Sequence, residues 1–320
     1  MTAVMLLPCF KGSFSRADHA AFLVPQQSSA LSTSSQLSAT NDDKRIVFIR
    51  HGCTFMNEYL GKPGCAYGSP NFTDKFPATA EFKDKYQDTK LSPRGHKQAS
   101  TLSNRLGDLS QKKTNVLSTL GLSVDDANFV QELELVVVSP LTRALQTFQI
   151  GLKPHLSENV PIVALPAASE RAWLISDIGR PRSQLVKDYP YCDFEMAFDR
   201  DGELVEEWWF GLDDRKTKGL AMPSGVTSLT YKEWRPNDQR QEYVCPGEPD
   251  EQFDARMIKL YSFLRDRPES TIAVVCHWGV IDWMLGVDFE NCELRVVPFG
   301  DIQPKTLAWS ELEQTQGVTG

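Results

Sequence analysis

An α/β fold, a three-layer sandwich with a mainly parallel central sheet flanked by helices and carrying inserted cap segments, is what this sequence predicts. Three observations predict it. Short apolar runs with little polar interruption recur at 46–49, 133–138, 160–165 and 271–276, as strands covered on both faces require. Segments with apolar residues at helical spacing lie between them. The two kinds of segment alternate, which places parallel strands in one sheet with helices above and below it.

Ile46, Val47, Phe48 and Ile49 form the first strand, and a β-branched run of this kind suits the middle of a sheet. Ser92 and Pro93 then read as an N-cap and a first helical residue, with Ala99, Leu102, Leu106 and Leu109 on one face behind them. The strand at Leu133 to Val138 is followed by Ser139-Pro140, which is expected to open a second helix in the same way, with Leu141, Ala144, Leu145 and Phe148 facing inward. A third strand is expected at Val160 to Leu165. Phe253, Met257, Leu260, Tyr261 and Leu264 mark a helix that leads through Pro268 into the strand Thr271 to Cys276. Gly286 stops a short helix after that strand, and Leu294 to Val297 adds one more strand.

Residues 44–303 form the expected domain. Two segments break its alternation, 53–90 and 189–249, and both read as insertions; the second, with Trp208, Trp209, Trp234 and many Gly, Pro and charged residues, reads as a cap over a site. Residues 1–43 carry only Lys11, Arg16 and Asp18 as charges before Asp42 and are rich in Ser, Thr and Ala toward their end, so a disordered segment is expected there. It reads equally as a flexible tail or a targeting peptide, which makes the expected location the cytoplasm or, through residues 1–43, an organelle such as a plastid or mitochondrion. Residues 304–320 read as a C-terminal tail.

A net charge of −8 supplies no global field for nucleic acid or an anionic membrane surface, so neither is an expected partner. Any anion must be held by local cations. The seven cysteines are odd in number and form no CxxC pair, which reads as reduced thiols, with Cys53 an ordinary small side chain. No run of about 18 apolar residues occurs, so no spanning helix is expected. None of the histidines at 19, 51, 96, 155 and 277 pairs at metal-ligand spacing, so neither metal nor cofactor is expected, and His96 and His155 read as surface or capping residues.

Ligands of parallel α/β sheets bind beyond the carboxyl ends of the strands. Arg50, His51 and Gly52 follow the first strand, Ser139 and Arg143 the second, Glu170 the third and His277 the fourth. Arginines hold a phosphate dianion with planar paired donors, and a neutral imidazole is a competent nucleophile toward phosphorus near neutral pH. The early helical position of Arg143 would also bring free backbone N–H groups near the phosphate. One histidine attacks, the second is expected to stay protonated beside the phosphate, and Glu170 serves as general acid and then as base toward water.

Arg50-His51-Gly52-Cys53-Thr54 with Asn57, Leu91-Ser92-Pro93-Arg94-Gly95 with Gln98-Ala99, Ser139-Pro140-Leu141-Thr142-Arg143-Ala144 with Gln146-Thr147, and Cys276-His277-Trp278-Gly279 together resemble the histidine phosphatase superfamily, in its phosphoglycerate mutase-like branch. The resemblance spans about residues 45–300. It implies His51 as nucleophile, Arg50, Arg143 and His277 as the phosphate pocket, Asn57 as a further phosphate contact, and an acid in the Glu170 region as proton donor. Two departures stand out. Trp278 occupies the position after the second histidine where the family commonly has Gly, and Ser169-Glu170-Arg171-Ala172-Trp173 lacks the Glu-Arg-His-Tyr-Gly run of the glycolytic mutases. The sequence therefore points to a metal-independent phosphatase acting on a small phosphorylated metabolite, with a phosphoryl-transfer mutase and an idle binding module on the same fold as alternatives. Arg180, Arg182 and Trp278 are candidates for reading the rest of the substrate. Nothing in the sequence addresses the oligomeric state.

Overall fold

The computed structural model describes residues 43–65, 75–77, 80–111, 113, 115–196, 199–200, 203–209, 242–244, 248 and 250–303. The expectations for 1–42 and 304–320, and most of the expected cap at 189–249, lie outside these residues.

The strands are β1 (Arg45–Arg50), β2 (Lys75–Pro77), β3 (Leu135–Val138), β4 (Ile162–Ala164), β5 (Asp199–Arg200), β6 (Glu203–Leu204), β7 (Glu242–Val244), β8 (Thr271–Cys276) and β9 (Leu294–Pro298). The α-helices are α1 (Phe55–Leu60), α2 (Ala80–Tyr86), α3 (Pro93–Ser110), α4 (Val116–Leu120), α5 (Thr142–Thr147), α6 (Arg182–Asp188), α7 (Asp250–Asp266) and α8 (Trp278–Leu285). Five strands form the main sheet in the order β4-β3-β8-β1-β9. All neighbours are parallel except β1 and β9, which run antiparallel. The fold is the expected mixed α/β sandwich.

Strand alternation divides the core into two halves. Val47, Ile49, Val136, Val138, Ala273 and Val275 face a cluster with Leu102, Leu106, Leu145 and Phe148. Ile46, Phe48, Leu135, Val137, Ile272 and Val274 face the other side, against Met257, Leu260, Leu264, Ile281 and Met284. Each of the Val, Leu, Ile, Phe and Met side chains among these contributes about 1.5–3 kcal/mol by leaving water, so a sheet covered on both faces is strongly specified by its sequence. The first strand is anchored at its start by Lys44, whose ammonium donates to the carbonyls of Leu264, Arg265 and Arg267 at 2.8, 2.7 and 2.7 Å. A buried cation thereby satisfies the orphan carbonyls at the end of α7.

Two expectations need correction. Ser139-Pro140 does not cap the second helix: Leu141 is its N-cap, without a side-chain cap bond, and α5 begins at Thr142. The proline comes two residues before the helix proper, so the loop after β3 is longer than the Ser-Pro pair suggests. The helix then passes into a π-helical turn at Phe148–Leu152. The two ends of the segment 53–90 are held together, since Thr54 bridges Leu91, and Thr54 caps α1 by accepting from the N–H of Asn57. Finally, 189–209 is not all cap: Tyr189, Phe194, Trp208 and Trp209 are buried in the core cluster that holds Ile178 and Leu185. Gly179 is what admits Trp208, since a Cβ there would lie 2.3 Å from the indole.

The strands β3 and β4 are shorter than the apolar runs, Leu135–Val138 and Ile162–Ala164. Gly286 does stop α8, at φ 66° in the left-handed region where glycine is favoured. Five described cysteines, 53, 65, 192, 276 and 292, are unpaired. No helix among the described residues is long and apolar enough to cross a membrane.

Candidate active site

Parallel β1 and β8 lie side by side in register, Arg50 opposite Cys276, so the residues just beyond them meet by construction. The His51 N–H continues the ladder by donating to the Cys276 carbonyl at 3.0 Å. The result is a pair of imidazoles, His51 and His277, with ring centroids 5.0 Å apart and planes inclined by 53°.

The loop after β1 is fixed by the motif residues around it. The N–H of Cys53 donates to Gln98 Oε1 at 2.8 Å, the N–H of Leu91 to Gln146 Oε1 at 2.9 Å, and the N–H of Gly52 to Thr147 Oγ1 at 2.9 Å. Gly95 lets α3 approach this loop, since a Cβ there would fall 1.9 Å from the Cys53 carbonyl oxygen. These glutamines, Thr147 and Gly95 are framework for the nucleophile loop.

The tautomer of His51 is set by its partner. Nδ1 lies 2.8 Å from the Gly52 carbonyl, which can only accept, so Nδ1 carries the proton and Nε2 carries the lone pair. Burial, with Arg143 and Arg50 alongside, pushes the imidazole well below its usual range, keeping it neutral.

His277 caps α8 and is fixed by both nitrogens. Arg143 Nε points at its Nδ1 from 3.3 Å, and Nε2 lies 2.7 Å from Ser139 Oγ. An arginine N–H can only donate, so Nδ1 is the acceptor and Nε2 the donor. Burial, Arg143 and His51 push this imidazole well down as well. A proton on Nδ1 would face the arginine N–H, so in this arrangement the imidazole is neutral.

Arg143 is anchored from behind. Its Nη1 donates to the Ser176 carbonyl at 2.6 Å and its Nη2 to Asp177 Oδ1 at 2.9 Å. Asp177 Oδ2 accepts from the N–H groups of Trp173 and Leu174 at 3.1 and 2.8 Å. With both oxygens so engaged, Asp177 is a positioning residue for Arg143. The helix start beside it is also occupied, because Thr142 gives its N–H to Asp88 Oδ1 at 2.8 Å and its hydroxyl hydrogen-bonds Asp88 Oδ2. The expected contribution of free α5 amides is therefore not available at Thr142. Arg50 donates from Nη1 to the Phe289 carbonyl, while its Nε is buried with no partner among the described residues.

Glu170 lies against the start of α8. Its Oε2 accepts from the Gly279 N–H at 3.2 Å and its Oε1 from its neighbour, the Arg171 N–H, at 3.0 Å. Burial and the nearby Asp177 carboxylate push its pKa up, against the opposing pull of Arg143 and the two amides. A Cβ on Gly279 would sit 2.3 Å from Glu170 Oε1, so this glycine sets the approach.

The remaining candidates divide. Asn57 stands at the third position of α1, and its Oδ1 accepts from the N–H and hydroxyl of Thr54 at 3.1 and 3.0 Å, leaving its amide hydrogens as donors. Arg180 is engaged within the fold: its Nε donates to Asp88 and Thr142, both at 3.2 Å, and its Nη1 to Asp188 at 2.7 Å. Arg182 pairs with Glu206 at 3.6 Å, and its Nε is buried with no partner among the described residues. Trp278 is 43% exposed and its indole N–H donates to Asp288 at 2.6 Å. His96 is exposed, and His155 shares a hydrogen bond with Ser103.

Sequence reasoning misses the supporting roles of Asp88, Ser139, Ser176 and Asp177. Asp88 has φ 42° at the end of a segment with no clear period, and no sequence signal marks it. A cavity of about 550 Å3 opens beside Glu170, with Ser169, Asp177, Trp208, Trp209 and Arg256 in its wall. Neither histidine lines it, so it adjoins the pair on the carboxylate side.

No family model matches this chain, and no curated protein matches it. Solved structures do. An alpha-ribazole phosphatase from Shigella flexneri is 19% identical, with 75% of this chain and 76% of that one covered and a TM-score of 0.33. The ecdysone phosphate phosphatase from Bombix mori, in complex with tungstate, is 16% identical over 82% and 92%, with a TM-score of 0.36. A mycobacterial glucosyl-3-phosphoglycerate phosphatase is 17% identical over 79% and 89%, with a TM-score of 0.33. Likeness at this level assigns no role to any residue of this chain. All three are named as phosphatases.

Proposed function

We propose that this chain is a phosphatase that hydrolyses a small phosphomonoester through a phosphohistidine on His51. The carrying observation is the hydrogen bond from His51 Nδ1 to the Gly52 carbonyl, which leaves the Nε2 lone pair beside His277 and Arg143. Nε2 attacks phosphorus, the bond to the leaving oxygen breaks, and that oxygen takes the proton of Glu170. Water then attacks the phosphohistidine, giving a proton to the Glu170 carboxylate and releasing phosphate and neutral His51. The raised pKa of Glu170 suits the first step, since a carboxyl must be protonated to act as an acid.

Arg50 and Arg143 supply the charge that a phosphoryl group needs, with Arg50 Nε as an unspent donor. His277 orients Arg143 through Nδ1 and can transfer its Nε2–H from Ser139 to a phosphate oxygen. The leaving group would extend into the cavity beside Glu170, between Trp208 and Arg256. The location remains the cytoplasm or an organelle reached through residues 1–43, and neither a cofactor nor a nucleic-acid partner enters the proposal.

Phosphate release from a panel of sugar phosphates, phospho-carboxylic acids, nucleotides and phosphopeptides, run in EDTA, tests this reading. Free phosphate with little isomerised product is the expected result. Stoichiometric transfer to a second substrate hydroxyl would make the enzyme a mutase, and no turnover of any member would leave the idle module.

A further inference from the structure

Helix α3 carries Arg94, Lys97, Thr101 and Arg105 along one stripe, since steps of three, four and four residues return to the same helical face. All four are exposed, and they line a cleft of about 270 Å3 with Gln98, Leu102, Asn291 and Cys292. Among the described residues, no ion pair engages Arg94, Lys97 or Arg105. In a chain of net charge −8 this is a local concentration of cations, and no acidic residue lines the cleft, although Glu290 and Glu293 flank its turn.

Two features separate the cleft from an ordinary solvated helix face. Asn291 and Cys292, from the turn before β9, line the cleft together with the helix, with Cys292 held at φ 62°. Two of its residues also hold the nucleophile loop: Gln98 Oε1 accepts from the Cys53 N–H at 2.8 Å, and Asn291 Nδ2 donates to the His51 carbonyl at 2.9 Å. None of Arg50, His51, Arg143, Glu170 or His277 lines it.

We infer that this cleft is a second anion site, distinct from the proposed catalytic pocket, which takes a small polyanion carrying phosphate groups. Its size admits a pyrophosphate or a short phosphorylated acid, and its arginines supply paired donors for phosphate oxygens. Binding there pulls on Gln98 and Asn291 and so adjusts the loop that presents His51.

Calorimetric titration with inorganic pyrophosphate tests the site on the full chain. The wild type is expected to bind two equivalents, and the Arg94→Gln/Lys97→Gln/Arg105→Gln variant one, with the other weakened about tenfold or more, as losing charge-assisted contacts requires. Arg143→Ala is expected to retain the cleft equivalent, so failure of the catalytic reading does not remove this signal. Pyrophosphate should also shift the imidazole resonances of His51 in Arg143→Ala but not when the triple substitution is added. A single wild-type equivalent abolished by Arg143→Ala, or a triple variant that binds like the wild type within about twofold, would overturn the proposal.

Discussion

Arg143 Nε lies 3.3 Å from His277 Nδ1, and this contact fixes the charge state of the second histidine. A donor that cannot lose its proton faces the ring nitrogen that would otherwise be protonated, so the imidazole is held neutral. The consequence is pH dependence. His277 has a folded pKa pushed below its unfolded value, so its neutral form is matched by the unfolded chain above about pH 6.5, and below that the unfolded chain alone gains a proton. Stability is lost as pH falls, by about 1.4 kcal/mol per pH unit for one such group. Denaturant unfolding of wild type and His277→Gln between pH 7 and 5 should show the two curves converging toward acid. Parallel curves would mean that His277 is protonated in the native state.

Glu170 and Gly279 act as a pair. Glu170→Gln should slow an alkyl phosphate far more than an activated aryl phosphate, because only the poor leaving group needs a proton. Gly279→Ala should reproduce that pattern, since its methyl would occupy the place of the carboxylate oxygen. For the wild type, turnover of the alkyl substrate should fall as pH rises through the raised pKa of Glu170. Equal slowing of both substrates would move the acid elsewhere.

Asp177 should behave as the support of Arg143. Arg143→Ala is expected to cost on the order of 2–4 kcal/mol in kcat/KM, as loss of a transition-state donor does. Asp177→Asn should lose less and leave the pH limb of Glu170 in place, because its oxygens are spent on Arg143 and two amides. Disappearance of that limb in Asp177→Asn would make Asp177 the proton donor.

Gly95→Ala tests the framework of the nucleophile loop. Overpacking against the Cys53 carbonyl should cost about 1–3 kcal/mol of stability and lower turnover together, because the loop must move to admit the methyl group. An alanine variant with wild-type melting and turnover would show that the loop is not clamped there.

Legibility in the sequence depended on which interactions are local. β1 and β8 were legible because four- and six-residue apolar runs covered on both faces have few alternatives, and α3 because Ser92 and Pro93 mark its start. Strand ends then located Arg50, His51, Arg143, Glu170 and His277, since the sheet topology gathers the residues at the carboxyl ends of parallel strands. The supports were not legible. Asp88 reaches Thr142 from 54 residues away, and Asp177 reaches Arg143 from 34, and neither pairing leaves a period or spacing in the chain. The ion pair of Arg180 with Asp88 and that of Arg182 with Glu206 leave no sequence signal for the same reason.

The central claim is that His51 Nε2 carries the phosphoryl group, and the direct measurement is rapid quench with a 32P-labelled substrate and mapping of the label. The account predicts an acid-labile, base-stable phosphoenzyme on His51, formed before phosphate appears and absent from His51→Ala, whose fold should persist because the imidazole sits at a strand end and not in either apolar core cluster. Turnover near wild type in His51→Ala, or a label on any other residue, would contradict it.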